Sequence, residues 1–269
     1  MEQYGDFHTH SCFSFDGNDS VDAMCNAALQ AGLSAIAITD HYDTDGIQDG
    51  YYPSYDAVGA RAAVCAAKKK YQGKLDVIYG LELGQPYVYP NAARKLLDTC
   101  AFDYVIGSLH NLIGVPDFYY FNAETIPTKQ IYDLFIRAID ETERYLLTFP
   151  EIDTIAHITY PLRYFRRAGR EMDLSPAEER LRRFFRAVAE SGKALEVNTS
   201  GLRQGIGMTL PEDLLITWYV QEGGKRVAIG SDAHTAVDVG KDVAETYAHL
   251  RKLGVSEIMC WKQGKKAFV

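Results

Sequence analysis

An α/β fold built on parallel strands is predicted by three features of this 269-residue sequence. Short apolar runs rich in Val, Ile and Ala recur, each is followed by a longer stretch with helical spacing, and polar residues gather where the apolar runs end. The strand runs are 4–8, 34–39, 75–83, 103–107, 153–156, 194–198 and 226–230. Helices are expected near 20–31, 54–71, 90–99, 127–148, 175–190, 211–222 and 239–252. Several carry start signals: Ser20 stands just ahead of its helix, Ser175-Pro176-Ala177-Glu178 pairs a capping serine with a proline at the first helical position, and Pro211-Glu212-Asp213 opens another.

Two intervals, 40–53 and 108–126, are longer than ordinary connections and are expected to be binding loops. No internal repeat, low-complexity tract or Pro/Ser-rich linker interrupts the alternation, so residues 1–269 are read as one domain, a length that a single α/β barrel commonly fills. Periodicity is compatible with an open doubly wound sheet and with a closed barrel. In both, ligands and catalytic groups collect at the C-terminal ends of the strands.

Composition narrows the function classes. A hydrophobic fraction of 47% with 24% charged residues is that of a soluble globular protein, and no run approaches the roughly 20 apolar residues of a membrane span. The opening Met1-Glu2-Gln3-Tyr4-Gly5-Asp6 has no basic start followed by an apolar run, so a secretory signal is not expected. Five scattered cysteines, Cys12, Cys25, Cys65, Cys100 and Cys260, fit reduced thiols, and a cytoplasmic location is expected. With 28 basic against 36 acidic residues the formal charge is -8, which disfavours nucleic acid as a partner. A small phosphorylated metabolite is not disfavoured, because bound divalent cations reverse the local potential. The sequence assigns no oligomeric state.

Six of the seven histidines fall at strand outlets. His8 and His10 close the first run as His8-Thr9-His10, and residues two apart on a strand share a face. His41 follows the second run, His110 the fourth, His157 the fifth and His234 the last, whereas His249 lies inside a helix and is expected at the surface. Carboxylates accompany them: Glu82 ends the third run, Asp232 precedes His234 by two residues, and Asp16 lies in the first loop. Neutral imidazoles with a few oxygens suit Zn²⁺, Mn²⁺ or Fe²⁺, and a carboxylate can bridge two ions.

His8-Thr9-His10, Thr39-Asp40-His41, Gly80-Leu81-Glu82, Gly107-Ser108-Leu109-His110, Ala156-His157 and Gly230-Ser231-Asp232-Ala233-His234 occur in the order of the polymerase and histidinol phosphatase (PHP) superfamily, which the chain resembles over nearly its whole length. The resemblance implies a distorted (βα)7 barrel of PHP type with three divalent metal ions. By the same resemblance His8, His10, Glu82 and Asp232 hold one ion, Glu82 bridges to a second held by His110 and His157, and Asp16, His41 and His234 hold the third. Glu82, Asp232 and His234 are expected to carry catalysis. Within the superfamily, Glu196-Val197-Asn198-Thr199-Ser200-Gly201-Leu202-Arg203 and the stretch from His157 to Arg163 resemble the histidinol-phosphate phosphatase branch. Arg163 and Arg203 are therefore the candidates for binding the phosphate of the substrate, the planar guanidinium fork matching phosphate oxygens.

The activity implied is hydrolysis of L-histidinol phosphate to L-histidinol and phosphate, with a metal-bridging hydroxide attacking phosphorus in line while the cations and Arg203 stabilise the growing charge. No G-x-S-x-G or Walker-type loop points to a serine nucleophile or a nucleotide cradle. An acidic, aromatic rim suits the cationic substrate, and Asp117, Phe118, Tyr119, Tyr120 and Glu124 of the 108–126 loop are expected to form it. The rival expectations are a PHP-type phosphodiesterase or exonuclease acting on nucleotides, and a non-catalytic PHP interaction module.

Overall fold

The computed structural model describes residues 4–269, apart from the side chain of Leu146. Its elements run β1 (Gly5–Thr9), α1 (Val21–Gln30), β2 (Ala35–Ile38), β3 (His41–Asp43), α2 (Thr44–Gln48), α3 (Ala57–Lys70), β4 (Asp76–Gly84), α4 (Pro90–Thr99) and β5 (Tyr104–Ser108). Then follow α5 (Thr128–Thr148), β6 (Thr154–Ile155), α6 (Tyr160–Arg167), α7 (Glu178–Ser191), β7 (Ala194–Asn198), α8 (Ser200–Arg203), α9 (Asp213–Gln221), β8 (Arg226–Gly230), α10 (Val243–Lys252), β9 (Glu257–Lys262) and β10 (Lys265–Phe268). Capping fixes the start of α1 as the sequence suggests, the Ser20 hydroxyl accepting from Ala23 N at 3.2 Å; Asp56, not singled out in the sequence, accepts from Gly59 N at 2.9 Å at the head of α3, whereas α7 and α9 start at Glu178 and Asp213 without a side-chain cap.

One curled sheet connects these strands in the order β1-β2-β4-β5-β6-β7-β8-β9-β10, parallel throughout except for the antiparallel β9–β10 pair. β3 pairs only with the upper half of β4, matching His41 to Glu82, while β2 pairs with the lower half. The expected second strand, 34–39, is found as β2, and 41–48, expected as loop, forms β3 and α2. At the C-terminal end the curl closes: Asp232 N donates to His8 O at 2.8 Å and His10 N to Ala233 O at 2.8 Å. Counting β2 and β3 as one interrupted position, β1 to β8 supply the seven positions of the distorted (βα)7 barrel.

Alternation along the strands sorts the core into two layers. Ala35 and Ala37 of β2 face a small inner cluster with Phe7, Ile78, Tyr104, Ile106, Ala156, Ala194 and Ala228, while Ile36 and Ile38 join the outer layer beneath the helices. Met259 and Trp261 of β9 complete the inner cluster, so the C-terminal hairpin closes one end of the barrel. That hairpin was not expected from strand runs. Its turn, Gln263-Gly264, takes positive φ at both residues (53° and 74°), the geometry of a two-residue turn that matches strand twist.

Candidate metal centre

A register irregularity in β1 places the first two histidines. Asp6 pairs with Ile36 and Thr9 with Ile38, so β1 carries one extra residue between them, and side-chain parity is reset across this bulge. Phe7 can then join the inner core while His8 and His10 also point inward, above it. Glu82 and Glu196 follow from simple alternation: Glu82 stands four residues beyond the inward Ile78 of β4, and Glu196 two beyond the inward Ala194 of β7. Gly230 is required at this level: a Cβ there would stand 2.3 Å from His8 Cβ and 2.6 Å from Glu196 Oε1.

Glu82 is the hub. Its Oε2 lies 3.1 Å from His8 Nε2, 3.3 Å from His10 Nε2 and 3.0 Å from His41 Nδ1. Its Oε1 lies 3.2 Å from His110 Nε2 and 3.0 Å from His157 Nε2. Asp232 Oδ1 is 3.5 Å from His10 Nε2 and 3.8 Å from His8 Nε2. Asp16 completes a third group, 3.2 Å from His234 Nε2 and 3.8 Å from His41 Nε2. All nine residues grouped by the motifs therefore converge, with Asp16 and His234 at the solvent edge and the others buried. His249, as expected, stays on α10 at the surface, paired with Asp213 at 2.8 Å.

The other ring nitrogen of most of these histidines is held from behind. His8 Nδ1 donates to Glu196 at 2.6 Å, His110 Nδ1 donates to Asp43 at 3.0 Å, and His234 Nδ1 donates to the Asp232 carbonyl at 3.0 Å. His10 Nδ1 is 3.1 Å from Ser14 Oγ, which itself donates to Asp40 at 3.1 Å. Carboxylates and carbonyls accept only, so protons are fixed on the Nδ1 side and Nε2 lone pairs face the centre. Asp43 and Glu196 were not among the expected site residues. His41-Tyr42-Asp43 repeats the i, i+2 spacing of His8-Thr9-His10, which is the signal that could have found Asp43.

Charge within the cluster is strongly coupled. Burial opposes ionisation of Glu82, but the imidazoles of His41, His8 and His110 outweigh it and hold the carboxyl well below the usual range. Burial and repulsion from His234 and His41 hold His10 far below an ordinary imidazole, whereas burial of His8 is overcome by Glu196, Glu82 and Asp232, which raise it. His10 Nε2 and His41 Nδ1 are buried without a hydrogen bond although both lie against Glu82. Five imidazole nitrogens on one carboxylate exceed its hydrogen-bonding capacity of about four sites. The donor set of nitrogens and carboxylate oxygens fits divalent metal ions, which satisfy all of them together. Backbone strain sits here too, with positive φ at His157 (20°) and Asp232 (57°).

A cleft of about 430 Å³ opens above this floor. Arg163 reaches its wall buried, donating to Asp232 at 3.0 Å and to Ser200 at 3.1 Å, with its guanidinium 5.0 Å from the centre of the Tyr160 ring. Arg203 donates to the carbonyls of Ser231 at 2.7 Å and Asp232 at 3.0 Å, and lines an adjoining depression with Asp232, His234, Asp238 and Lys241. Asp117, Tyr119 and Tyr120 form part of the rim as expected, but Phe118 is buried in the core and Glu124 is exposed away from the cleft. Tyr52 and Phe15, stacked with centroids 3.9 Å apart, form the opposite wall. Asp117 accepts from the Tyr160 hydroxyl at 2.9 Å and from Tyr119 N at 2.8 Å, and burial raises its pKa.

A parallel barrel with a histidine-rich divalent-metal centre at its C-terminal mouth defines the class. Residues 6–200 match the PHP domain, and the chain belongs to the PHP family. It is similar to the histidinol-phosphatase of Lactococcus lactis, 25% identical over 259 residues that cover 94% of this chain and 92% of that protein. It is likewise similar to a probable histidinol-phosphatase of Thermotoga maritima, 26% identical over 252 residues covering 92% and 91%. The crystal structure of the L. lactis histidinol phosphate phosphatase, complexed with zinc, L-histidinol and phosphate, shares the fold with a TM-score of 0.80 over 98% of both chains at 22% identity. The resemblance read from the motifs, to the histidinol-phosphatase branch of the superfamily, is borne out, as is the barrel it implied. Among the described residues no helix is long and apolar enough to cross a membrane.

Proposed function

We propose that this protein is a metal-dependent phosphomonoesterase that hydrolyses L-histidinol phosphate to L-histidinol and phosphate, acting as a single domain over residues 1–269. The observation that carries the reading is the convergence of five imidazoles on Glu82 at the floor of a cleft whose wall holds a buried arginine. Similarity to named histidinol-phosphatases along more than nine-tenths of the chain supports the substrate.

His8, His10, Glu82 and Asp232 would hold one ion, Glu82 with His110 and His157 a second, and Asp16, His41 and His234 a third, with zinc, manganese or iron(II) all suited to the donors. Bound there, the ions supply Lewis-acid charge and an activated water to phosphate-ester hydrolysis. The chain's own groups do the rest. Arg163, locked by Asp232 and Ser200, presents fixed positive charge to the phosphate oxygens, where it stabilises the charge that gathers as the ester breaks. Glu196, Asp43 and Ser14 keep the imidazoles in one tautomer and orientation. Asp117, between Tyr119 and Tyr160, suits the cationic amine and the flat imidazole of the alcohol portion. Arg203 would act by bracing the Ser231–Asp232 turn. Five unpaired thiols support a reducing, cytoplasmic setting.

Purified protein supplied with Zn²⁺ or Mn²⁺ is assayed for released phosphate with histidinol phosphate, nucleoside monophosphates and a phosphodiester. Preference for histidinol phosphate, abolished by a chelator and restored by metal, is expected. Preference for nucleotides or diesters would reject the substrate, and chelator-resistant turnover would reject the metal centre.

A further inference from the structure

Gln85 stands one residue beyond β4, three past Glu82, and is 1% exposed. Its φ is +45°, in the left-handed region that glutamine rarely adopts, and Pro86 after it narrows the backbone further. Every polar atom it carries is engaged. The backbone N–H donates to Ser108 O at 3.1 Å, and the carbonyl accepts from Thr44 Oγ1 at 2.5 Å and from Val88 N at 3.0 Å. Nε2 donates to Asp45 at 3.1 Å and to Asn111 Oδ1 at 2.6 Å, and Asn111 Nδ2 closes the triangle by donating to the other Asp45 oxygen at 2.6 Å. The Asp45 carboxylate can only accept, which fixes the amide orientation and turns Oε1 toward the backbone N–H of His110, where it accepts at 3.1 Å.

We propose that Gln85 is a positioning residue that sets the placement of His110, and with it the start of the 108–126 loop bearing Asp117, by clamping the His110 backbone to Thr44 and Asp45 at the start of α2. This rests on the reading of His110 as a metal ligand. The ring of His110 is held on one side by Asp43, at the end of β3, and its main chain by Gln85, which also ties down the two residues after Asp43. Both restraints on His110 therefore pass through one buried junction. The amide is needed for its two faces, an acceptor for His110 and a donor for Asp45. Leucine supplies neither, and glutamate supplies the first but sets a second carboxylate against Asp45.

The test compares Gln85→Leu, Gln85→Glu, the double variant Gln85→Glu with Asp45→Asn, and His110→Asn. Metal content is measured after dialysis against limiting Zn²⁺ or Mn²⁺, alongside kcat, KM and the pH profile of phosphate release. Gln85→Leu is expected to weaken metal binding and lower kcat by about 10- to 100-fold with KM changed less than about threefold. Gln85→Glu should resemble it at neutral pH and gain on the wild type as pH falls, because a protonated carboxyl recovers the donor. The double variant, with one carboxylate in place of two, should regain most of the loss. If Gln85→Leu does not fold, the two glutamate variants decide. Metal content and kcat within twofold of wild type in the Gln85 variants, with loss in His110→Asn, would overturn the inference alone, as would a double variant no better than Gln85→Glu. Undiminished metal binding by His110→Asn would overturn the metal-centre reading and this inference with it.

Discussion

Replacing Glu196 with glutamine tests the claim that the outer ring of acceptors sets the metal centre. One Glu196 oxygen accepts from His8 Nδ1 at 2.6 Å and the other from the backbone N–H of His157 at 2.6 Å, and the residue is buried. Glutamine keeps one acceptor and introduces a donor. If the amide oxygen stays on His157, its NH₂ meets His8 Nδ1 and drives the proton to Nε2, the nitrogen that faces Glu82 and Asp232. If the amide turns round, the His157 N–H is left against a donor at a residue whose φ is already +20°. Losing one charged, buried hydrogen bond costs about 2 to 3 kcal/mol. At about 1.4 kcal/mol per tenfold, that corresponds to about 30- to 150-fold in metal affinity or in kcat/KM. Metal titration of apoprotein and steady-state phosphate release measure the two. A Glu196→Gln protein within threefold of wild type in both would refute the reasoning.

Two further outcomes are expected. Gly230→Ala places a methyl 2.3 Å from His8 Cβ, against strand backbone that cannot yield, so Tm should fall by several degrees and metal content should drop; an unchanged protein in calorimetry and metal analysis would contradict the packing account. Asp117→Asn removes the negative charge from the aromatic side of the cleft, so KM for histidinol phosphate should rise about tenfold while that for p-nitrophenyl phosphate, which lacks an amine, moves little; equal effects on both would contradict its role in substrate choice.

Much of this architecture could be read from residue order, and what escaped has physical causes. The seven strand positions and the histidines at their outlets follow from hydrophobic period and parallel topology, which are local signals repeated along the chain. The bulge in β1 is different: it depends on how Asp6 and Thr9 pair with β2, and periodicity does not encode pairing. The same limit hid β3, whose three residues earn their place by pairing with the upper half of β4. Asp43 and Glu196 escaped because a carboxylate behind an imidazole is recognised by what it touches; Glu196 even lay inside a segment singled out for another reason. Arg203 was expected on phosphate from the resemblance of its segment, and nothing in the sequence signals that its guanidinium also holds the main-chain carbonyls of Ser231 and Asp232. Glu124 and Phe118 show how a loop's composition overstates its rim, since the turn at Asp117 sends Phe118 into the core and leaves Tyr119 and Tyr120 exposed.

The most direct test is anomalous diffraction at the zinc and manganese edges from crystals of protein purified without chelator. Peaks lying between the Glu82 carboxylate and the His8, His10, His41, His110 and His157 rings, with a further one beside Asp16 and His234, are the predicted result. Featureless density there in protein that still releases phosphate from histidinol phosphate would contradict the account.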